Sequence, residues 1–199
     1  MYIIGITGGT GAGKTSALRA IGSLGAFVLD CDELYHELLC NNSELKSELA
    51  SRFTGVLHDG VIDRETLGGI VFSNPDALLD LNAITHKYIT DEIDRQLADW
   101  AMRGGTVAAI DAIGLIESGR AEKCDVVIGV TAPVEMRISR IMKRDGLTRE
   151  QAQKRIGAQK PDSYFKEHCD HILEGNCDIS EEFEEKCREF FKQIIREEA

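Results

Sequence analysis

Gly8-Gly9-Thr10-Gly11-Ala12-Gly13-Lys14-Thr15 follows a short apolar run at residues 2–7 and leads into a segment where Leu18, Ile21 and Leu24 recur at helical spacing. The octet fits G-x-x-x-x-G-K-[ST], a strand-to-helix turn that cradles phosphates. Its glycines allow a tight turn and let backbone N–H groups approach an anion. The start of the following helix adds the positive end of its dipole. The Lys14 ammonium reaches β- and γ-phosphates, and the Thr15 hydroxyl ligates Mg²⁺. The nucleotide contacts expected here are Gly9, Gly11, Ala12, Gly13, Lys14, Thr15 and Ser16. Such a loop predicts a chain that binds a nucleoside triphosphate and passes a phosphoryl group to a small-molecule hydroxyl.

Outward from the loop, apolar runs recur at residues 26–29, 106–110 and 125–130, with a weaker one near 171–173. Continuous apolar runs suit strands buried on both faces, and their alternation with helical stretches predicts right-handed crossovers and a parallel sheet of five strands. About 75 residues separate the second run from the third, far more than one crossover helix needs. Within them Leu78, Leu81 and Ile84, then Ile89, Ile93, Leu97 and Trp100, keep a helical period. Residues 33–105 therefore read as a helical insertion forming a second lobe inside a single 1–199 domain. At the far end, Phe183, Cys187, Phe190, Phe191, Ile194 and Ile195 make one stripe of a helix over residues 180–199 that packs on the sheet.

The chain of 199 residues carries a net charge of −11, which repels nucleic acid and anionic membrane at long range. One segment inverts that charge. Arg137, Arg140, Lys143, Arg144, Arg149, Lys154, Arg155 and Lys160 face only Asp145 and Glu150. Phosphoryl transfer needs mobile positive charge, so residues 137–165 are expected to form a lid. None of the six cysteines has C-x-x-C spacing, which favours reduced thiols. The first apolar run is short and lacks a basic flank, and no run is long enough to span a bilayer; the expected location is cytoplasmic.

Carboxylates at strand ends come next. The second strand closes as Leu29-Asp30-Cys31-Asp32, and the third ends at Asp111. The carboxyl ends of a parallel sheet converge on the ligand crevice, where an acid holds Mg²⁺ or takes a proton from an attacking hydroxyl. Asp30 and Asp32 would point the same way if the extension ran through both. Alternatively, the pair is a helix N-cap with a first-turn charge.

The ordered motifs resemble the dephospho-coenzyme A kinase family from about Ile4 to Asn176. They comprise the loop from Thr7 to Lys14; Leu24-Gly25 with Val28-Leu29-Asp30-Cys31-Asp32; Asp63-Arg64, Leu67 and Ile70-Val71-Phe72; and Leu81-Asn82-x-Ile84-x-His86. Leu115-Ile116-Glu117-Ser118-Gly119 follows, then Arg140-x-x-x-Arg144-Asp145-Gly146-Leu147-Thr148, Ala152, Arg155-Ile156-x-x-Gln159, and Asp170 with Asn176. The resemblance implies an α/β P-loop kinase fold in three layers, with a five-stranded parallel sheet, a helical substrate lobe and a lid. It implies ATP and Mg²⁺ as cofactors and the ribose 3′-hydroxyl of dephospho-coenzyme A as acceptor. By position, Asp32 is the base and a metal-side acid with Thr15. Asp30, Arg64, His86 and Glu117 belong to the substrate, Arg140 and Arg144 are lid arginines acting with Lys14 in catalysis, and Asn176 approaches the adenine. Neither nucleic acid nor membrane is an expected partner, and the oligomeric state is open. Two positions depart from the family: Lys87 follows His86 where Pro is usual, and Ile113-Gly114-Leu115 replaces Pro-Leu-Leu.

Two other readings compete. One is a kinase for another small metabolite. The other is a GTPase-type switch, because Asp111-Ala112-Ile113-Gly114 has the D-x-x-G form and Gln159-Lys160-Pro161-Asp162 is one residue from a guanine-reading motif. Against the switch, no apolar strand precedes Gln159.

Overall fold

The computed structural model describes residues 1–177 and 180–198. Asp178, Ile179 and Ala199, the last residue of the expected C-terminal helix, lie outside them. The chain divides into two compact units, Met1–Leu29 with Trp100–Ala199, and Asp30–Asp99.

The first unit holds a parallel sheet of β1 (Tyr2–Gly8), β2 (Phe27–Asp30), β5 (Val107–Asp111), β6 (Val126–Thr131) and β7 (His171–Glu174), in the order β2-β5-β1-β6-β7. β1 pairs with β5 through Ile6↔Asp111 and with β6 through Gly8↔Val130. The strand order reverses at β1, so the segment leaving its carboxyl end sits at the topological switch point where such sheets bind ligands. All five expected strands are present within a residue or two.

Alternation along the strands separates two faces. Ile4, Ile6, Ile128, Val130 and Leu173 are buried with Ala17, Leu18 and Ile21 of α1 (Lys14–Gly22) and with Phe183, Cys187, Phe191 and Ile194 of α9 (Ser180–Glu198). The C-terminal stripe therefore packs on the sheet as expected. The other face is closed by α8 (Asp162–His168) and by Leu115. A Cβ on Gly129 would come 3.3 Å from Phe165, and one on Gly5 would come 2.7 Å from Leu115. Burying these large apolar side chains stabilises the unit by roughly 1.5–3 kcal/mol each. Trp100 completes the edge, stacked on Phe27 at 5.4 Å and donating to Val107 O at 3.0 Å.

The second unit contains α2 (Cys31–Asn41), α3 (Ser43–Arg52), a short hairpin of β3 (Leu57–His58) and β4 (Val61–Ile62), α4 (Arg64–Ser73) and most of α5 (Pro75–Met102). It is helical as expected; the hairpin was not foreseen. Leu34, Leu38, Leu45, Leu49, Phe53, Val56, Ile62, Leu67 and Val71 are buried. Leu78 of the expected stripe is instead exposed, and Ala77 and Thr85 of α5 are buried. No described helix is long and apolar enough to cross a membrane.

Candidate active site

The glycine loop leaves β1 and enters α1 through three glycines at positive φ, Gly8, Gly11 and Gly13. Gly8 has φ 145°, and a Cβ there would lie 2.2 Å from Val130 O. Gly13 caps α1 at φ 116°, and its Cβ would strike the Phe183 ring at 2.7 Å. Close packing on β6 and α9 thus constrains the loop's shape. Lys14 Nζ donates to Gly8 O at 3.1 Å, folding the ammonium back over the turn. Thr15 is exposed in the first turn of α1. Ser16 is buried, and its hydroxyl pairs with Ser180 Oγ at 3.1 Å, toward α9.

The two acids after β2 do not share an extended segment. The strand ends at Asp30, α2 begins at Cys31, and Asp30 Oδ1 accepts from Asp32 N at 2.9 Å and Glu33 N at 3.1 Å. Asp30 is an N-cap with its Oδ1 turned onto the helix, the alternative that the sequence left open. Asp32 is an exposed first-turn acid, rotated away from it by the helical period. Asp111 is 8% exposed at the end of β5, beside Ile6.

In the same Asp30–Asp99 unit, Asp63 caps α4, accepting from Glu65 N, Thr66 N and the Thr66 hydroxyl, which hold its carboxyl below the usual range. Arg64 follows as an exposed first residue. Burial pushes the Tyr35 hydroxyl up and the Arg64 charge pulls it back, which makes Tyr35 the neighbour that sequence reading missed. His86 is exposed on α5 one turn after Asn82.

In the sheet unit, Glu117 is exposed on the turn after β5, which Thr7 Oγ1 fastens by donating to Ile113 O at 3.2 Å. Burial first, then the hydrogen-bonded Glu117 carboxylate, push up the Tyr164 hydroxyl. Tyr164 stacks on His168 at 4.3 Å and carries the Lys160 ammonium at 4.8 Å from its ring.

The basic segment folds as α6 (Val134–Asp145) and α7 (Arg149–Gly157), joined by a turn at Gly146 and packed through Ile138, Ile141, Leu147, Ala152 and Ile156. Thr148 and Gln151 cap α7 reciprocally. Its arginines divide into two kinds. Arg140 Nη1 donates to Gly11 O and Ala12 O at 3.0 and 3.2 Å, while Nη2 donates to Gly175 O and Cys177 O at 3.0 and 2.9 Å. Expected as a lid arginine, it is here a clamp between the phosphate loop and the turn bearing Asn176, which is itself exposed. Arg137, buried, donates to Thr10 O, Gln159 and Asp162. Both were legible in the sequence as charge, but not the way they turn. Arg144, by contrast, is exposed and forks onto Asp145 at 2.7 and 3.0 Å, and Arg155 reaches the same carboxylate at 2.8 Å. Both hold Asp145 below the usual carboxylate range, Arg144 foremost.

Among the described residues no group of three or more His, Cys, Asp or Glu forms a metal cage. The Thr15 hydroxyl and strand-end carboxylates are hard oxygen donors. They suit Mg²⁺, which takes one or two protein ligands together with substrate phosphates. The Gln159–Asp162 segment lies between α7 and α8 and follows no strand, so it is no guanine-reading loop.

The chain is similar to known proteins in sequence and in fold. The family model described as dephospho-CoA kinase matches residues 2–181. The dephospho-CoA kinase of Geobacter sulfurreducens is 39% identical over 163 residues, covering 81% of this chain and 83% of that protein. Among solved structures, TT1252 from Thermus thermophilus matches with a TM-score of 0.83 and 28% identity over 100% of this chain and 98% of its own. A dephospho-CoA kinase from Campylobacter jejuni matches with a TM-score of 0.71 and 26% identity over 99% and 98%. On the family match over residues 2–181 and its phosphate loop at the switch point of a parallel sheet, the chain belongs to the dephospho-CoA kinase family.

Proposed function

We infer that the chain catalyses ATP-dependent phosphorylation of dephospho-CoA, giving CoA and ADP, with the ribose 3′-hydroxyl as acceptor. The observation that carries this reading is the phosphate loop at the carboxyl end of β1, shaped by Gly8 and Gly13 and carrying Lys14, in a chain matched by the family over residues 2–181. Phosphoryl transfer is chiefly positioning and charge stabilisation. Lys14 exchanges the Gly8 carbonyl for the β- and γ-phosphates, and the loop's amides hold the same groups. Mg²⁺, held by Thr15 and a carboxylate of Asp32 or Asp111, neutralises phosphate charge when bound. Asp32 accepts the proton of the acceptor hydroxyl, a role open to an exposed carboxylate whose neighbour Asp30 is already committed to the helix. By the family resemblance, Arg64, His86 and Glu117 serve the acceptor. Arg144 supplies charge from the lid, while Arg140 keeps the loop and the Asn176 turn together around the adenine. The location proposed is the cytoplasm. Incubation with ATP, Mg²⁺ and either dephospho-CoA or shikimate, followed by mass analysis of the product, tests the assignment. Product from shikimate alone overturns it.

A further inference from the structure

Thr10 is the third residue of the phosphate loop, and Gln159 lies 149 residues later. Gln159 Oε1 accepts from Thr10 N at 2.9 Å, and Gln159 Nε2 donates to Thr10 Oγ1 at 2.8 Å. The same Oε1 accepts from Arg137 Nη2 at 3.1 Å, and Arg137 Nε donates to Thr10 O at 3.0 Å. Every polar group of Thr10 is therefore held by this pair. Gln159 is in turn fixed to the end of α7, its N–H donating to Ile156 O at 3.1 Å. Arg137 is 3% exposed, and its carboxylate partner Asp162 stands at 3.4 Å. Taking a guanidinium out of water is costly, and a lone distant carboxylate does not offset it. The bonds to Thr10 and Gln159 do the rest, so the arginine, the amide and the loop form one unit.

We propose that Gln159 is a positioning residue for ATP binding, seating the third residue of the phosphate loop so that the loop is in its phosphate-holding shape before the nucleotide arrives. The inference rests on that loop being the ATP site. Without the amide, Thr10 and its neighbours regain conformational freedom that each binding event must remove. Restoring order to one or two residues amounts to about 10-fold in affinity. The loop grips phosphates in the ground state and the transition state alike, so the loss falls on ATP affinity and KM more than on kcat.

Calorimetric titration of ATP into the full chain, with steady-state kinetics, tests this. Gln159→Met keeps the side chain's length and removes its bonds; the expected Kd for ATP rises about 10-fold. Thr10→Val is expected to raise Kd about 3-fold, and Thr10→Ser to restore it. In the double variant Thr10→Val adds less than about 2-fold to Gln159→Met, because both remove one interaction. Should Gln159→Met fail to fold, the Thr10→Val and Thr10→Ser pair decides alone. Unchanged Kd in Thr10→Val and Gln159→Met, or a kcat loss at constant KM, overturns the positioning role. A wild-type chain that binds no ATP overturns the nucleotide reading itself.

Discussion

Lys14 rests 3.1 Å from the Gly8 carbonyl dipole, an acceptor that a stronger partner displaces. A triphosphate is that stronger partner, because charge-assisted bonds are roughly twice as strong as neutral ones. Lys14→Ala is therefore expected to lower turnover by at least about 10²-fold, read by ADP release; wild-type rates would place the phosphates elsewhere. The two acids after β2 separate by experiment as they do in geometry. Asp30→Ala removes an N-cap and should cost about 0.5–2 kcal/mol of stability in denaturant unfolding. Asp32→Asn should leave stability nearly unchanged and lower kcat by at least about 10²-fold with ATP affinity retained. Loss of Mg·ATP binding in Asp32→Asn instead would make it a metal-side acid and leave the proton to another group. The sequence could not separate these aspartates, because the choice turns on one fact: whether the chain stays extended or coils at Cys31.

Helices and strands were legible where burial enforces a period. The three central strands, β1, β5 and β6, are apolar runs because both their faces are covered, and all five strands appeared within a residue or two. The hairpin at Leu57–His58 and Val61–Ile62 was not legible, since two-residue strands carry no period. The basic segment was legible as charge but not as a division of labour. Burial, which the sequence does not print, turns Arg137 and Arg140 inward as clamps while Arg144, Arg149 and Arg155 remain exposed. The proposed lid should accordingly start after the clamps. With a non-hydrolysable ATP analogue, amide exchange is expected to slow in residues 144–157 and to stay slow with or without it in residues 137–142, around buried Ile138 and Ile141. Equal protection of residues 144–157 in both states would count against a lid.

Across the whole molecule, a chain of net charge −11 draws in a polyanionic nucleotide only through local features. The features proposed for that task are the loop amides, Lys14 and the exposed basic side chains of the lid. The cysteines show the same local control. Burial pushes the thiols of Cys124 and Cys169 up to about 11 and that of Cys187 up to about 12, so they stay protonated at neutral pH, while Cys40 is exposed. Since the thiolate is the nucleophile, iodoacetamide at pH 8 should label Cys40 well before those three, as read by peptide mass analysis. Early labelling of Cys187 would mean that α9 opens from the sheet. The central claim, that this loop and sheet pass a phosphoryl group from ATP to dephospho-CoA, is tested most directly by coupled ADP release with Mg·ATP in the presence and absence of that acceptor. Acceptor-dependent ADP release with stoichiometric CoA is expected, abolished in Lys14→Ala. Acceptor-independent ADP release, or none at all from a folded, ATP-binding chain, would contradict it.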